Sequence, residues 1–189
     1  MDYNHFFNSV LQASRHYFMK SRRRFYHRYA TLARISIDEL INQGIQGIIL
    51  DLDNTIVSED DRFLSPGAEQ WIQEARSKGL KFFILSNGKR RNRFLYWSER
   101  LNIKGINPAH KPSPWVFGKA LRALEVKSGN AVVIGDSFHT DVMGGWSADC
   151  HIIQVSSLPH PPRWWEKLWG KWVQIPYPAR EELWEMHEI

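Results

Sequence analysis

The stretch Ile45-Gln46-Gly47-Ile48-Ile49-Leu50-Asp51-Leu52-Asp53-Asn54-Thr55 decides the fold. Its first half is a short apolar, β-branched run, which reads as a buried strand. Its second half releases two carboxylates, Asp51 and Asp53, at the strand's carboxyl end, where ligands sit in open α/β sheets. Two acids crowded there repel each other unless a cation or a proton is shared between them. The pair is therefore a candidate active site.

Working outward, the same strand–helix alternation recurs on both sides. Upstream, Ser36 and Glu39 form a capping box that starts a short helix ending at Gly44. Downstream, Ser65-Pro66 starts a helix that Gly79 ends. Residues 81–85 predict a strand with Ser86-Asn87-Gly88 at its carboxyl end, followed by a helix over 91–101. Residues 103–112 read as a weak strand ending in His110-Lys111-Pro112, and Ser113-Pro114 opens a helix to about Glu125. A strand over 131–134 leads into Gly135-Asp136-Ser137, then a short helix over 140–146 and a last strand over 151–155. The expectation is an α/β, Rossmann-like three-layer fold: a mainly parallel five-stranded sheet with helices on both faces. Asp51, Asp53, Ser86, Lys111 and Asp136 then gather along one edge of it.

The chain of 189 residues is long enough for one domain with a full core, and 43% hydrophobic with 24% charged residues is ordinary for a globular protein. One cysteine, Cys150, excludes an internal disulfide and a multi-cysteine zinc site and is expected to fill core space. No apolar run approaches the ~18 residues that span a bilayer. The first ten residues lack a basic start followed by an apolar core, so no secretory leader is expected. A cytoplasmic protein is the expectation; peripheral attachment to a membrane and, for the arginine-rich start, an organelle transit peptide are the alternatives.

The net charge of +5 is uneven. Residues 1–34 carry seven Lys/Arg and one acid, while the remainder has 18 basic and 19 acidic residues. Phe7, Val10, Leu11, Ser14 and Phe18 recur at helical spacing, and Phe25, Tyr29 and Leu32 resume it. Two readings stand for this arm: a helix packed on the domain with a solvated basic face, or an amphipathic helix on an anionic membrane or other polyanion. Five of nine tryptophans lie in the last 26 residues, among Pro159, Pro161, Pro162, Pro176 and Pro178. That tail either wraps the domain or, through 163–172, anchors at a membrane–water boundary. The division is a basic aromatic arm over 1–34, a core over 35–157 and a tail over 158–189.

A carboxylate at a strand end can attack phosphorus and form an aspartyl-phosphate, which makes Asp51 the candidate nucleophile. Attack by one anion on another needs compensation. Mg2+ supplies it with one or two carboxylates, and Asp136 on the neighbouring strand is the second candidate ligand beside Asp51. Asp53 is placed to protonate the leaving oxygen and later to activate water. Lys111 can hold Asp51 ionised and balance phosphoryl oxygens. Ser86 and the following amides, from Asn87 on, can donate to those oxygens. Asp141 can position Lys111 or a metal-bound water. Asp53-Asn54-Thr55 could instead be only a turn, and Asp136 or Asp141 only a cap.

Asp51-Leu52-Asp53-Asn54-Thr55, Leu85-Ser86-Asn87-Gly88, Lys111-Pro112 and Gly135-Asp136-Ser137-Phe138-His139-Thr140-Asp141 resemble, in order and spacing, the four motifs of the haloacid dehalogenase superfamily. The resemblance covers about residues 36–155. It implies Asp51 as nucleophile, Asp53 as acid/base, Ser86 and Lys111 as phosphoryl ligands, and a metal held by Asp51, the Asp53 backbone carbonyl and Asp136. Thr55 and Asp141 take supporting places. An acid at Asp53 separates phosphoryl transfer from dehalogenation in that superfamily.

Many of its members carry a cap domain. Here 32 residues lie between Asp53 and Ser86 and 24 between Ser86 and Lys111, too few for one at either place. The site is expected to be open to a large substrate, or closed by another subunit or the terminal arms. The first motif and the Asn107-Pro108-Ala109-His110-Lys111-Pro112 approach resemble the subclass IIIA branch, and more narrowly the bacterial YqeG family and the phosphatidylglycerophosphate phosphatases of mitochondria and plastids. The resemblance implies a phosphate monoester on an anionic lipid headgroup. Two other readings remain: the same chemistry on a nucleic-acid end, phosphoprotein or small metabolite, and a non-enzymatic module binding RNA, ribosomes or membrane.

Overall fold

Ile48 and Leu50 face one side of the central strand and Ile49 the other, and both sides are buried in the computed structural model of the protein. Each such side chain contributes roughly 2 kcal/mol by leaving water, so this strand anchors two cores at once. The structure describes residues 24–160, Lys167 and Glu185–Met186.

The elements in chain order are β1 (Tyr26–Tyr29), α1 (Ile37–Asn42), β2 (Gly47–Leu50), β3 (Phe63–Leu64), α2 (Ala68–Ser77), β4 (Lys81–Leu85), α3 (Arg91–Arg100), β5 (Gly105–Ile106), α4 (Pro114–Leu124), β6 (Ala131–Gly135), α5 (Met143–Ser147), β7 (His151–Val155) and β8 (Glu185–Met186). Six strands form one parallel sheet in the order β1-β7-β6-β2-β4-β5. The chain runs from β2 outward through β4 and β5, then returns to the other side of β2 for β6 and β7. Strand order reverses at β2, and its carboxyl end is where a crevice opens. One core joins Ile48, Leu50, Ile84 and Ile134 to α1, α2 and α3. The other joins Ile49, Phe83, Leu85 and Val133 to Val116, Phe117 and Ala120 of α4 and to Cys150, which fills core space as expected.

Three sequence readings need correction. The sheet has six strands, not five, because residues 26–29 pair with β7 where a helix was expected over 25–32. Phe25 and Tyr29 fit helical spacing, but Phe25, His27 and Tyr29 also fit a period of two, and that is the period used. The Phe25 and His27 rings stack at 4.9 Å, and His27 meets Tyr29 edge-on at 6.5 Å. On the opposite face Tyr26 Oη donates to Gln154 Oε1 at 2.6 Å. Second, α2 starts at Ala68 rather than at Pro66, because Gly67 takes the left-handed conformation (φ 68°) and interrupts the first turn. Third, the helix expected over 140–146 is a wide π turn over Phe138–Val142 followed by α5.

Residues 54–85 hold only a tight turn, β3, α2 and β4, and residues 87–110 only α3 and β5, so neither gap contains a cap domain. The arm over 1–23 and the indoles of the tail lie outside the described residues. β8, near the end of the chain, pairs antiparallel with β3. Among the described residues no helix is long and apolar enough to cross a membrane.

Candidate active site

Asp51 leaves β2 with its N–H still in the sheet, donating to Ile134 O at 2.9 Å. The chain then turns back sharply. Ile56 and Val57 N–H groups both reach Leu52 O, and Asn54 adopts φ 61° to make this possible. The turn swings Thr55 under the strand ends, where its hydroxyl lies 3.2 Å from Asp51 Oδ2 and accepts from the Asp136 N–H at 3.0 Å. Thr55 thus ties the ends of β2 and β6 together.

Lys111 arrives from the loop after β5. Its Nζ donates to Asp51 Oδ1 at 2.5 Å and to Asp141 Oδ1 at 2.6 Å, with the side chain 3% exposed. Two devices aim it. Asn87 clamps its backbone with two reciprocal bonds, Lys111 N–H to Asn87 Oδ1 at 2.9 Å and Asn87 Nδ2 to Lys111 O at 3.0 Å. Asp141 is itself fixed by the Ser137 N–H at 3.2 Å and the Thr140 hydroxyl at 3.3 Å. The π turn brings Asp141 against Gly135, where a Cβ would stand 2.4 Å from the Asp141 Cγ, so only glycine fits.

Asp53 faces away from this cluster. Its Oδ2 accepts from Ser86 Oγ at 2.6 Å and its Oδ1 from Arg93 Nη1. A Cβ on Gly88 would lie 2.7 Å from Asp53 Oδ2, so Gly88 is what allows the second turn to approach the acid. Asp136, at the end of β6, accepts from Ser157 Oγ at 2.5 Å, and its carbonyl accepts from Gln154 Nε2 at 2.8 Å.

The structure therefore gathers Asp51, Asp53, Thr55, Ser86, Asn87, Lys111, Asp136 and Asp141 around one region, and all but the buried Thr55 and Asp141 line a cavity of about 580 Å3. His139 also lines it, with Nδ1 3.1 Å from Ser137 Oγ, whereas His110 is exposed outside it. Two side chains take places that the sequence did not specify. The side chain of Asn87, whose backbone amide was expected to face the phosphate, holds the Lys111 backbone. The cluster of three carboxylates, with ligand atoms within 4.8 Å of one another, is Asp51, Asp136 and Asp141; the Asp53 carboxylate is not in it. Sequence reasoning missed Arg93, Ser157 and Asn107, whose Nδ2 donates to Gly88 O at 2.6 Å.

Electrostatics follow from burial. Three carboxylates face one ammonium, and all four groups are almost without solvent. Burial pulls the Lys111 pKa down, but Asp141 and Asp51 outweigh it and raise it, so Lys111 stays charged. Burial pushes the Asp51 carboxyl well above its usual range, with Lys111 opposing and Asp141, Asp136 and Asp53 adding to the rise. Burial also pushes Asp136 from 3.8 up to about 6, with Asp141 adding and the Ser157 hydrogen bond opposing.

A net excess of two buried negative charges among hard oxygen donors is a set that a small divalent cation satisfies. This gives a first prediction. Between pH 3.8 and about 6 the folded chain holds a proton at Asp136 that the unfolded chain does not. Without metal, that contribution to stability is full at low pH and is lost as pH rises through about 6, a loss of about 3 kcal/mol. A divalent cation needs the ionised form, so it should raise Tm more near pH 7.5 than near pH 5. Thermal melts in chelator and in added Mg2+ at both pH values check this; an equal shift at both, or none, contradicts it.

Fold and site together define a hydrolase of one family. The family model described as "Hydrolase: haloacid dehalogenase-like hydrolase" matches residues 3–149, and the chain belongs to that family. It is similar to "Probable phosphatase YqeG" of Bacillus subtilis, with 40% identity over 121 residues, 64% of this chain and 70% of that protein. A shorter likeness, 31% over 74 residues, joins 33% of this chain to 30% of "Ribonucleotide monophosphatase NagD" of Escherichia coli. Among solved structures, CbbY from Rhodobacter sphaeroides in complex with phosphate shares the fold at a TM-score of 0.50 and 15% identity, covering 62% of this chain and 89% of that one. The chain is accordingly a phosphoric monoester hydrolase.

Proposed function

We propose that the protein hydrolyses a phosphate monoester through an aspartyl-phosphate on Asp51, with Mg2+ as cofactor, and that its substrate is an anionic lipid headgroup. The observation that carries the reaction is the Lys111 bridge, which aims Asp51 into an uncapped cavity with Asp53 on its wall.

In the first step an Asp51 oxygen bonds to phosphorus, the ester P–O bond breaks, and the leaving oxygen takes a proton from Asp53. In the second, water attacks the same phosphorus and gives a proton to Asp53. The bond from phosphorus to Asp51 breaks, and inorganic phosphate leaves with the carboxylate restored. Lys111 balances charge on Asp51 as it changes from anion to acyl phosphate. Asp51, Asp136 and the Asp53 backbone carbonyl would hold the cation, which when bound offsets the negative charge of the phosphoryl group. Asp141 serves Lys111, since its oxygens are engaged by Lys111, Ser137 and Thr140.

The lipid reading is supported by the lack of a cap, by the basic arm over 1–34, by the tryptophans of the tail and by the resemblance of the motifs. A cavity of about 580 Å3 leaves room for a phosphorylated headgroup, and on this reading the acyl chains stay outside it. The test compares turnover of phosphatidylglycerophosphate in anionic liposomes with that of phosphorylated oligonucleotides and nucleoside monophosphates. Preference for the lipid, with liposome binding lost on removing residues 1–34 and weakened by salt, is the expected result. Equal turnover of all three, or liposome binding untouched by the deletion, would sink the lipid reading and leave the reaction standing.

A further inference from the structure

Arg93 is the one guanidinium inside the wall of the cavity whose side chain is buried, at 8% exposure, among the described residues. It projects from the first turn of α3. Each of its nitrogens has a defined use. Nη1 donates to Asp53 Oδ1, Nε to Asp61 Oδ1 and Nη2 to Ser58 O at 2.7 Å. Asp61 is held in turn by the Trp97 indole N–H at 3.1 Å and by Arg90 at 3.1 Å. Asp61 reaches its place through a positive φ of 62°. The loop over 58–61, which adds Glu59 to the cavity wall, is therefore joined to Asp53 through a single planar group.

The two oxygens of Asp53 are thus gripped from different sides, one by Ser86 and the other by Arg93. A carboxylate with one partner can rotate about Cβ–Cγ; with two fixed partners it cannot. Each oxygen keeps a further lone pair for a leaving group or a water. Resting on the phosphatase reading above, we infer that Arg93 is a positioning residue for the acid/base. It sets the plane of the Asp53 carboxylate and registers it against the 58–61 loop, so that the proton transfers of both steps occur from one orientation. The planar fork matters here, because a lysine ammonium reaches Asp53 or Asp61 but cannot hold both in a fixed relation.

The test uses full-length protein, an aryl phosphate and Mg2+. Arg93→Met should lower kcat roughly 10- to 100-fold with KM changed less than about threefold, since misplacing a reacting group by about an ångström costs that much. Arg93→Lys should restore part of kcat. Asp61→Asn, which does not touch Asp53, should show a smaller loss of kcat in the same direction. Because an aryl leaving group needs little protonation, the step slowed most is the attack of water, and acid-quenched Arg93→Met should carry more phosphate on Asp51 than wild type at steady state. Three outcomes overturn the inference: a loss confined to KM, which makes Arg93 a substrate ligand; a kcat per folded molecule equal to wild type with a lowered Tm, which makes it structural; and full rescue by lysine. An Asp51→Asn control that turns over like wild type would overturn the phosphatase reading itself, which the Arg93 result alone does not.

Discussion

Asp51→Asn lowers turnover of an aryl phosphate by about a thousandfold or more while the protein still folds; this is the expected result of removing the proposed nucleophile. The expectation of an intact fold is specific to this site. Asparagine keeps the shape of the carboxylate, and its oxygen can still accept from Lys111. Lys111 in any case retains Asp141 at 2.6 Å. The substitution also removes a charge that burial disfavours, because three carboxylates here share one ammonium. Tm should therefore change by only a few degrees in metal-free buffer, and the gain from Mg2+ should shrink, since one ligand has lost its charge. Phosphate release, melts with and without Mg2+, and peptide mapping after acid quench check the three parts. Wild-type turnover by Asp51→Asn, or covalent phosphate on a residue other than Asp51 in the wild type, would contradict the mechanism.

The central sheet was legible because its signals are local and mutually consistent. Apolar runs end in Asp51, Ser86 and Asp136, with one helix between the first two and two helices between the last two. The gathering of the candidate site was legible because strand ends in a parallel sheet converge, so that residues as far apart in sequence as Asp51 and Asp136 become neighbours. What was hidden depends on contacts that spacing does not encode. Arg93 sits in Lys89-Arg90-Arg91-Asn92-Arg93, where nothing in the local run separates a buried guanidinium from solvated ones. One signal was available: Arg93 precedes Phe94 and lies four residues before Trp97, both buried, so it falls at the border of the inward face of α3. A cation there needs an acid, and Asp53 and Asp61 provide two. Ser157 lies two residues beyond the last sheet strand, at the expected edge of the tail, yet it holds Asp136. β1 was misread because, at the edge of the sheet, its burial does not alternate but runs half-buried, exposed, exposed, half-buried, so no period of two in burial marks it as a strand.

Lys111→Met is expected to remove both activity and a large part of the stability, and a second substitution should separate the two. Methionine matches the length and apolar stem of lysine, so packing is nearly kept. Asp51, Asp136 and Asp141 then face one another with no counter-charge at 5%, 4% and 2% exposure. Breaking a buried pair from one side costs about 3–5 kcal/mol, since the charge left behind is uncompensated. The loss should be greatest at neutral pH and smaller near pH 5, where Asp51 and Asp136, both pushed upward by burial, can take up protons instead. Adding Mg2+ should return part of the stability by replacing the missing positive charge. The double variant Lys111→Met, Asp141→Asn removes the ammonium together with the acid that only it and the π turn hold. Its Tm should recover toward wild type, yet its turnover should stay as low as that of the single variant, because nothing balances Asp51 during phosphoryl transfer. Denaturant unfolding at both pH values, beside phosphate release, measures each part. If the double variant recovers activity with stability, Lys111 has only a structural use here. If the single variant melts like wild type at neutral pH in chelator, the buried carboxylates are already protonated and the account of Lys111 as their counter-charge fails.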